Sequence, residues 1–370
     1  MNEASVSLKE EIKKLLSDKS FKKIFILSGR NSFTKSNADK FFKNNLNNKK
    51  IFVYLKKSYY VEFNELKEII NNLNQFKPDL IIAVGGGSVI DYAKSANVLQ
   101  ISENLKKKIQ TSTYKPKKKI SKLLAIPTTA GSGAEVTSAA VIYIDKKKYS
   151  VEGNLFKPDY FLLIPEFVIN GSNEIKSSSG FDAISQSLES IISLKSNKQS
   201  LNFAKKSLFY SLKYFIPSLV NPNSENVSKM CIAANLSGKA ISISKTTAPH
   251  AVSYPFTALY KIPHGHAVSL TLEKFLKFNF EHINLSEKSI NLKKRLEIIL
   301  DLTKTKNILE LRAFIKHLKK KANLNDNLNE LGINIQKDYS KIIFGVSLQR
   351  LNNNPIKIEK KDLKKILLSL

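Results

Sequence analysis

The chain has 370 residues, with 60 Lys and Arg against 31 Asp and Glu, a formal net charge of +29. This length allows two domains with substantial cores. No apolar run approaches the ~20 residues that a membrane-spanning helix needs, and the N-terminal segment lacks the apolar core of a signal peptide. The single cysteine, Cys231, excludes an internal disulfide. We therefore expect a reduced, cytoplasmic protein.

The excess of lysine is spread along the whole chain and accompanied by many Asn and Ile residues. No basic run is interleaved with aromatic residues, as a nucleic-acid-binding surface would require. We expect neither nucleic acid nor membrane as a partner, and a homodimer is one state that the sequence allows. A basic surface favours encounters with anionic small molecules.

Short apolar runs and helical patterns alternate over the first 165 residues, which is typical of a parallel α/β domain. Helical patterns end near Ser17, at Asn45, at Phe76 and at Val98, and the lysine-rich segment 104–122 is predicted to be an exposed loop. Strands are predicted at residues 22–29, 51–55, 79–84, 123–129 and 159–165, with a β-excursion at 139–145 and near Tyr149.

From Gly180 onward the pattern is almost wholly helical, with Leu, Ile and Phe recurring every three or four residues. We predict two domains, a nucleotide-binding α/β domain over residues 1–170 and a helical metal- and substrate-binding domain over residues 171–370.

A glycine motif, Val84-Gly-Gly-Gly-Ser-Val-Ile-Asp91, follows a predicted strand and opens a predicted helix. Glycines let the backbone approach an anion closely, and a helix N-terminus offers free N–H groups to it. Ser88 and Asp91 also have the spacing of a capping box, so a tight turn before a capped helix is the structural alternative.

A second loop, Pro127-Thr-Thr-Ala-Gly-Ser-Gly-Ala-Glu-Val-Thr137, combines hydroxyl side chains with glycines at a predicted strand end. Such a loop can hydrogen-bond a diphosphate or a ribose. Thr and Gly are also ordinary residues of a strand-to-helix loop, which is the alternative.

Three of the five histidines, His250, His264 and His266, fall within residues 245–266. Pro255 and Pro263 lie between the first two, so one could lie on a helix and the other on the loop that returns to it. Upstream, Asp182 and Gln186 are spaced i, i+4 and share one helical face. Imidazole and carboxylate together suit a borderline divalent metal. A buried histidine or a bridging Gln186 would be the structural alternative.

Taken together, these segments resemble the iron-containing alcohol dehydrogenase family. The glycine motif matches the family's GGGS-x-x-D pyrophosphate motif, and the second loop matches its PTT-x-G-T/S-G-x-E-x-T signature. Asp182, His250 and His264 match three of its four metal ligands. Gln186 stands where the fourth, a His, is usual, and Tyr254 replaces a further histidine.

The resemblance implies a dehydroquinate synthase-like fold, α/β plus all-α, with an N-terminal Rossmann-like nucleotide domain, a C-terminal helical metal-binding domain and an active site in the cleft between them. It implies Fe²⁺ or Zn²⁺ on Asp182, His250 and His264, with Gln186 as a weak fourth ligand or a water holder. It also implies NADPH or NADH as cofactor, bound by Gly29, Arg30, Gly85, Gly86, Gly87, Ser88, Asp91, Thr128, Thr129, Ser132 and Thr137.

NADPH is the expected form of the cofactor. In the family, the end of the first strand reads the adenosine ribose, and NAD-specific members commonly place an Asp there. Here that strand ends Leu-Ser-Gly-Arg-Asn, without an acid, and Arg30 and Lys35 could bind a 2′-phosphate.

The segments DAISQSLES, SKTTAPHAVSYP and IPHGHAVSLTL resemble the phosphonoacetaldehyde reductases, the phosphonate branch of the family. This implies reduction of phosphonoacetaldehyde to 2-hydroxyethylphosphonate. Lys245, Thr246 and Thr247, about one helical turn before His250, would bind the phosphonate dianion through charge-assisted hydrogen bonds. Tyr254, or water relayed through His266, would supply the proton.

Three other functions remain open at this point. They are a generic alcohol dehydrogenase or aldehyde reductase of the same family, a lyase of the dehydroquinate synthase type, and a non-catalytic binding protein in which Gln186 and Tyr254 record decay of the site.

Overall fold

The computed structural model describes residues 16, 18, 20–145, 147–286 and 290–370, which form two compact units. Within that range, the first unit comprises the residues up to Thr129 together with Ala134–Gly171. The second comprises Ala130–Gly133 and Ser172–Leu370. Most of the predicted helix that ends near Ser17 lies outside the described residues.

The first unit is built on a parallel five-stranded sheet in the order β2-β1-β3-β4-β7, and a separate antiparallel hairpin pairs β5 with β6. The strands are β1 (Lys23–Gly29), β2 (Lys50–Lys56), β3 (Leu80–Gly85), β4 (Lys122–Pro127), β5 (Ala139–Ile144), β6 (Lys147–Glu152) and β7 (Tyr160–Phe161). The Rossmann-like character that the sequence predicts is confirmed by this sheet.

Apolar residues cover both faces of the central strands, as a parallel sheet requires. Successive side chains point to opposite faces, so Phe25 and Leu27 join one hydrophobic cluster while Ile24 and Ile26 join the other. The continuous apolar runs at 23–29 and 80–85 therefore form interior strands, both faces of which are covered by hydrophobic residues.

Among the described residues of the first unit, six helices accompany the sheet, α1 (Arg30–Lys35), α2 (Ala38–Asn45), α3 (Phe63–Phe76), α4 (Gly87–Val98), α5 (Leu105–Gln110) and α6 (Pro165–Ile169). The single helix predicted up to Asn45 is wrong, because Asn37 adopts the left-handed conformation (φ 59°) between α1 and α2. The predicted lysine-rich loop contains α5, whose Leu105 and Ile109 are buried. The predicted last strand shrinks to β7, since Pro165 opens α6.

Three loops of the first unit leave the sheet at the same edge. β3 lies between β1 and β4, with Ser28 opposite Val84 and Gly85 opposite Pro127. The residues that follow β1, β3 and β4 therefore converge beyond the carboxyl ends of neighbouring strands, which is where open α/β sheets bind nucleotides.

The second unit is helical. Its helices are α7 (Asn173–Ile192), α8 (Lys198–Val220), α9 (Ser224–Ser244), α10 (Ala248–Tyr260), α11 (His264–Glu281), α12 (Leu292–Thr303), α13 (Ile308–Lys321), α14 (Ile335–Gly345), α15 (Leu348–Leu351) and α16 (Lys360–Leu368). In the part of the chain that the structure describes, no helix has the length and apolarity to cross a membrane.

Candidate metal centre and nucleotide loops

Asp182, His250 and His264 form the candidate metal centre. Their ligand atoms all lie within 4.8 Å of one another, and the first two side chains are buried while His264 is half-buried. The His250 and His264 rings are 5.3 Å apart between centroids. Three nitrogen and oxygen donors at such distances can converge on one divalent cation.

Three helices deliver these ligands. Asp182 lies in the middle of α7, His250 in the first turn of α10, and His264 is the first residue of α11. The sequence allowed one of these two histidines to lie on a returning loop, but both lie on helices, and His264 directly follows the N-cap residue Pro263.

Gly265 permits the close approach of α11 to α7. A Cβ added at this glycine would overlap the carbonyl oxygen of Ser178 and lie 2.8 Å from the Asp182 Cβ. Any other residue here would push α11 away from α7, and His264 away from Asp182.

Glu189 orients the His250 ring and was not predicted from the sequence. Its carboxylate is fully buried and accepts hydrogen bonds from the Thr247 N–H (2.9 Å), the Thr247 hydroxyl (3.0 Å) and the His250 N–H (3.3 Å). Its other oxygen bonds Nδ1 of His250. A carboxylate on Nδ1 leaves Nε2 as the ligand nitrogen, which is the usual second-sphere arrangement at protein metal sites.

The donor set fits a bound cation. With the Nδ1 proton directed at Glu189, Nε2 of His250 faces Oδ1 of Asp182 at 3.1 Å. These two acceptors repel each other unless a proton or a metal ion lies between them. Burial lowers the pKa of His250, but the carboxylates of Glu189 and Asp182 outweigh it and raise that pKa to about 9. A site with this much negative potential attracts either a proton or a metal ion.

Gln186 is held by hydrogen bonds at both ends of its amide. Ser237 donates its hydroxyl to Oε1 at 2.8 Å, and Nε2 donates to the carbonyl oxygen of Ser132 at 3.4 Å. Burial raises the pKa of Asp182, but His250, His264 and a hydrogen bond from Gln186 together lower it by more. The amide therefore supports the carboxylate ligand, and direct ligation by Gln186 stays a prediction.

The two predicted proton donors lie in different surroundings. Tyr254 is buried one turn after His250 on α10, and its ring centroid is 5.9 Å from that of His264. Nε2 of His266 instead donates to the carbonyl oxygen of Asn325 at 2.7 Å. The structure thus places Tyr254 beside the triad, while the relay through His266 stays a prediction.

The segment Lys245–Thr247 joins α9 to α10, so Lys245 and His250 are not one helical turn apart on a single helix, as their spacing in the sequence suggested. Lys245 is the C-cap of α9, with φ 61° and ψ 174°. This conformation is rare for a residue with a side chain and costs of the order of 1–3 kcal/mol. Asn353 Nδ2 lies 2.9 Å from both the Ser244 and the Thr246 carbonyl oxygens and helps to hold the segment.

The glycine motif forms the start of α4. Gly86 is the N-cap and no side chain caps the helix, so the capping-box alternative is wrong and the first N–H groups can face an anion. The Asp91 carboxylate instead accepts the Val141 N–H at 3.0 Å. Gly86 lies against the Thr129 side chain (3.5 Å from an added Cβ), so the two predicted loops meet.

Several residues of the second loop serve packing. Gly133 has φ 61°, and its position lies directly against Gly238 of α9. The Thr137 hydroxyl accepts a hydrogen bond from the buried ammonium of Lys94 at 2.8 Å. Burial lowers the pKa of Lys94 to about 8. Arg30 is exposed at the start of α1, directly beyond the end of β1.

Both halves of the chain match models of one family. "Iron-containing alcohol dehydrogenase" covers residues 6–165, and "Fe-containing alcohol dehydrogenase family, C-terminal" covers residues 176–370. The chain belongs to the iron-containing alcohol dehydrogenase family.

The relatives are named for different substrates. The chain is 29% identical over 246 residues to a 1-propanol dehydrogenase of Citrobacter freundii, covering 65% of this chain and 62% of that protein. It is 28% identical over 216 residues to a phosphonoacetaldehyde reductase of Streptomyces viridochromogenes, and that match covers 55% of this chain and 54% of that protein. The chain thus matches between half and two thirds of the length of these relatives.

Among solved structures, the chain is similar to sulfoacetaldehyde reductase from Bifidobacterium kashiwanohense in complex with NAD⁺. The TM-score is 0.85 at 24% identity, over 98% of this chain and 95% of that one. The dehydroquinate synthase-like fold class predicted from the sequence is confirmed.

The role of Glu189 generates a test. Glu189→Gln removes the charge that holds Nδ1 of His250, and we expect the affinity for Zn²⁺ or Fe²⁺ to fall about 10–100-fold. Competition with a chromophoric chelator measures this affinity. Glu297→Gln, the same change at an exposed position of α12, is the matched control. Equal affinities in the two variants would contradict the orienting role.

Proposed function

We propose that this chain is a metal-dependent NAD(P)H oxidoreductase that reduces an aldehyde to a primary alcohol, with phosphonoacetaldehyde as the substrate and 2-hydroxyethylphosphonate as the product. The observation that carries the proposal is the triad of buried Asp182, buried His250 and half-buried His264, with Glu189 behind His250, in a chain of the iron-containing alcohol dehydrogenase family.

The bound groups would supply the hard chemistry, with a divalent ion on the triad polarising the aldehyde oxygen and a reduced nicotinamide providing the hydride. The chain's own residues position the aldehyde and supply the proton for the product alcohol. Burial raises the pKa of Tyr254, so its hydroxyl stays protonated at neutral pH. That hydroxyl can donate its proton to the developing alkoxide.

An anionic substrate is supported by the cationic and hydroxyl groups near the triad. Lys245 is half-buried, and Thr246 is buried beside it. The strained backbone at Lys245 is held by the Ser244 hydroxyl, which donates to the Lys245 carbonyl oxygen at 2.9 Å, and by Asn353. The Thr247 hydroxyl donates its hydrogen bond to Glu189. In this proposal Thr247 therefore positions the Glu189 carboxylate, and substrate binding is assigned to Lys245 and Thr246.

The second candidate is reduction of uncharged short aldehydes. It is favoured by the 1-propanol dehydrogenase of Citrobacter freundii, whose match covers a larger share of this chain than that of the phosphonoacetaldehyde reductase. A lyase of the dehydroquinate synthase type is less well supported, because both matching family models describe alcohol dehydrogenases.

The single cysteine, Cys231, which is buried, supports a cytoplasmic location.

For the nucleotide we propose a preference for NADPH. Arg30 is exposed beyond β1, where no acid would repel a 2′-phosphate. Arg30→Ala should lower the NADPH to NADH ratio of kcat/KM by ~10-fold, since a hydrogen bond to a charged group contributes about 1.5–3 kcal/mol. Lys40→Ala, a charge removed from an exposed position of α2, should leave the ratio unchanged. A wild-type preference for NADH would contradict the proposal.

For the substrate we compare phosphonoacetaldehyde with propanal. Lys245→Met should lower the ratio of their kcat/KM values at least ~10-fold, because the lost contact is charge-assisted. The rates are read from NADPH consumption with the metal-loaded enzyme. A wild type that prefers propanal would favour the second candidate. A preference that survives Lys245→Met would place the anion contact on another residue.

A further inference from the structure

Arg350 lies on the short helix α15, which is fastened to the metal-binding half of the second unit at both ends. Before it, the Ser347 N–H donates to the carbonyl oxygen of Ala251, the residue after His250. After it, Asn353 reaches the Thr246 carbonyl oxygen. The two anchors hold Arg350 against α10 and against the segment that precedes it.

The electrostatics of the Tyr254 hydroxyl involve the side chains of both Arg350 and Thr246. Burial raises the pKa of Tyr254, while the hydrogen bonds and charge from Arg350 and the hydrogen bond from Thr246 work in the opposite direction. The anchors at Ser347 and Asn353 agree with this, because they bring the chain on either side of Arg350 to Ala251 and to Thr246.

Arg350 has no carboxylate partner among the described residues, although it is half-buried. By contrast, Arg312 is paired with Glu273 in a contact of 2.5 Å. A guanidinium carries five N–H donors in a planar fork. The Tyr254 hydroxyl can occupy only part of that capacity. A half-buried cation whose donors are incompletely used is suited to a bidentate oxyanion.

The position also matches the size of a short substrate. Tyr254 lies four residues, about 6 Å along the helix axis, from His250, and its ring centroid is 5.9 Å from that of His264. An anionic group that reaches the hydroxyl end of this ring is thus separated from the triad by little more than one aromatic side chain. That separation suits an aldehyde whose charged and reacting ends are two carbons apart.

We infer that Arg350 is a specificity-determining residue, which binds the phosphonate group of the aldehyde through its guanidinium with Thr246 as a second donor. The inference rests on the proposed function and adds a residue to it. The motifs that the sequence analysis identifies do not include the segment that carries Arg350, and its anchors to Ala251 and Thr246 bring it to the site.

The test compares wild type, Arg350→Gln and Arg350→Lys, each loaded with metal. We expect Arg350→Gln to lower the phosphonoacetaldehyde to propanal ratio of kcat/KM at least ~10-fold, mainly through KM for the phosphonate. Arg350→Lys keeps the positive charge but lacks the planar, forked donors of a guanidinium. Its phosphonoacetaldehyde to propanal ratio should therefore lie between those of the wild type and Arg350→Gln. Lys341→Gln, which removes a charge from an exposed position of α14, should keep the wild-type ratio.

A binding readout separates substrate recognition from an indirect effect through Tyr254. Ethylphosphonate should raise the thermal midpoint of the wild type and of Lys341→Gln, and should raise that of Arg350→Gln much less. If Arg350→Gln lowers both aldehydes equally and still binds ethylphosphonate, the inference is overturned while the proposed function survives. If the wild type shows no preference for phosphonoacetaldehyde, the proposed function and the inference fail together.

Discussion

A buried carboxylate must be satisfied by hydrogen bonds, and the second unit is organised around satisfying one. Glu189 is fully buried and accepts four hydrogen bonds from Thr247 and His250. An unpaired carboxylate in this position would cost several kcal/mol. Because the four donors belong to the start of α10 and the residue before it, Glu189 fixes that helix to α7, and with it the ring of His250.

The position of the other groups follows from that anchor. Once α7 and α10 are joined, Gly265 allows α11 to bring His264 against Asp182. The segment before α10 must then bridge from the end of α9 in few residues, and Lys245 adopts its rare backbone conformation there. Asn353 holds this bridge from the C-terminal part of the chain, so the metal ligands and the proposed anion-binding residues share one support.

Local sequence signals were sufficient for the sheet and for the ligand triad. Continuous apolar runs marked β1, β3 and β4, and the family spacing marked Asp182, His250 and His264. The seven-residue step from Asp182 to Glu189 on one helix was a signal that could have found Glu189, since such residues share a face. That step alone does not identify Glu189 as a functional residue, because a buried glutamate cannot be told from a solvated one by residue type.

Other features depended on tertiary contacts that no local pattern encodes. Arg350 lies 100 residues after His250, and only the anchors at Ser347 and Asn353 bring it to α10. The helix within the lysine-rich segment was missed because two buried residues, Leu105 and Ile109, decide its structure against a charged background. The break at Asn37 likewise reflects a left-handed residue that apolar periodicity does not mark.

The central claim is that Asp182, His250 and His264 hold a divalent ion whose site is oriented by Glu189. Elemental analysis of purified protein tests it most directly, with His317→Ala, an exposed histidine of α13, as the control. We expect one divalent ion per chain in the wild type and in His317→Ala, and loss of that ion in His264→Ala and Asp182→Ala. Full metal content in His264→Ala would contradict it.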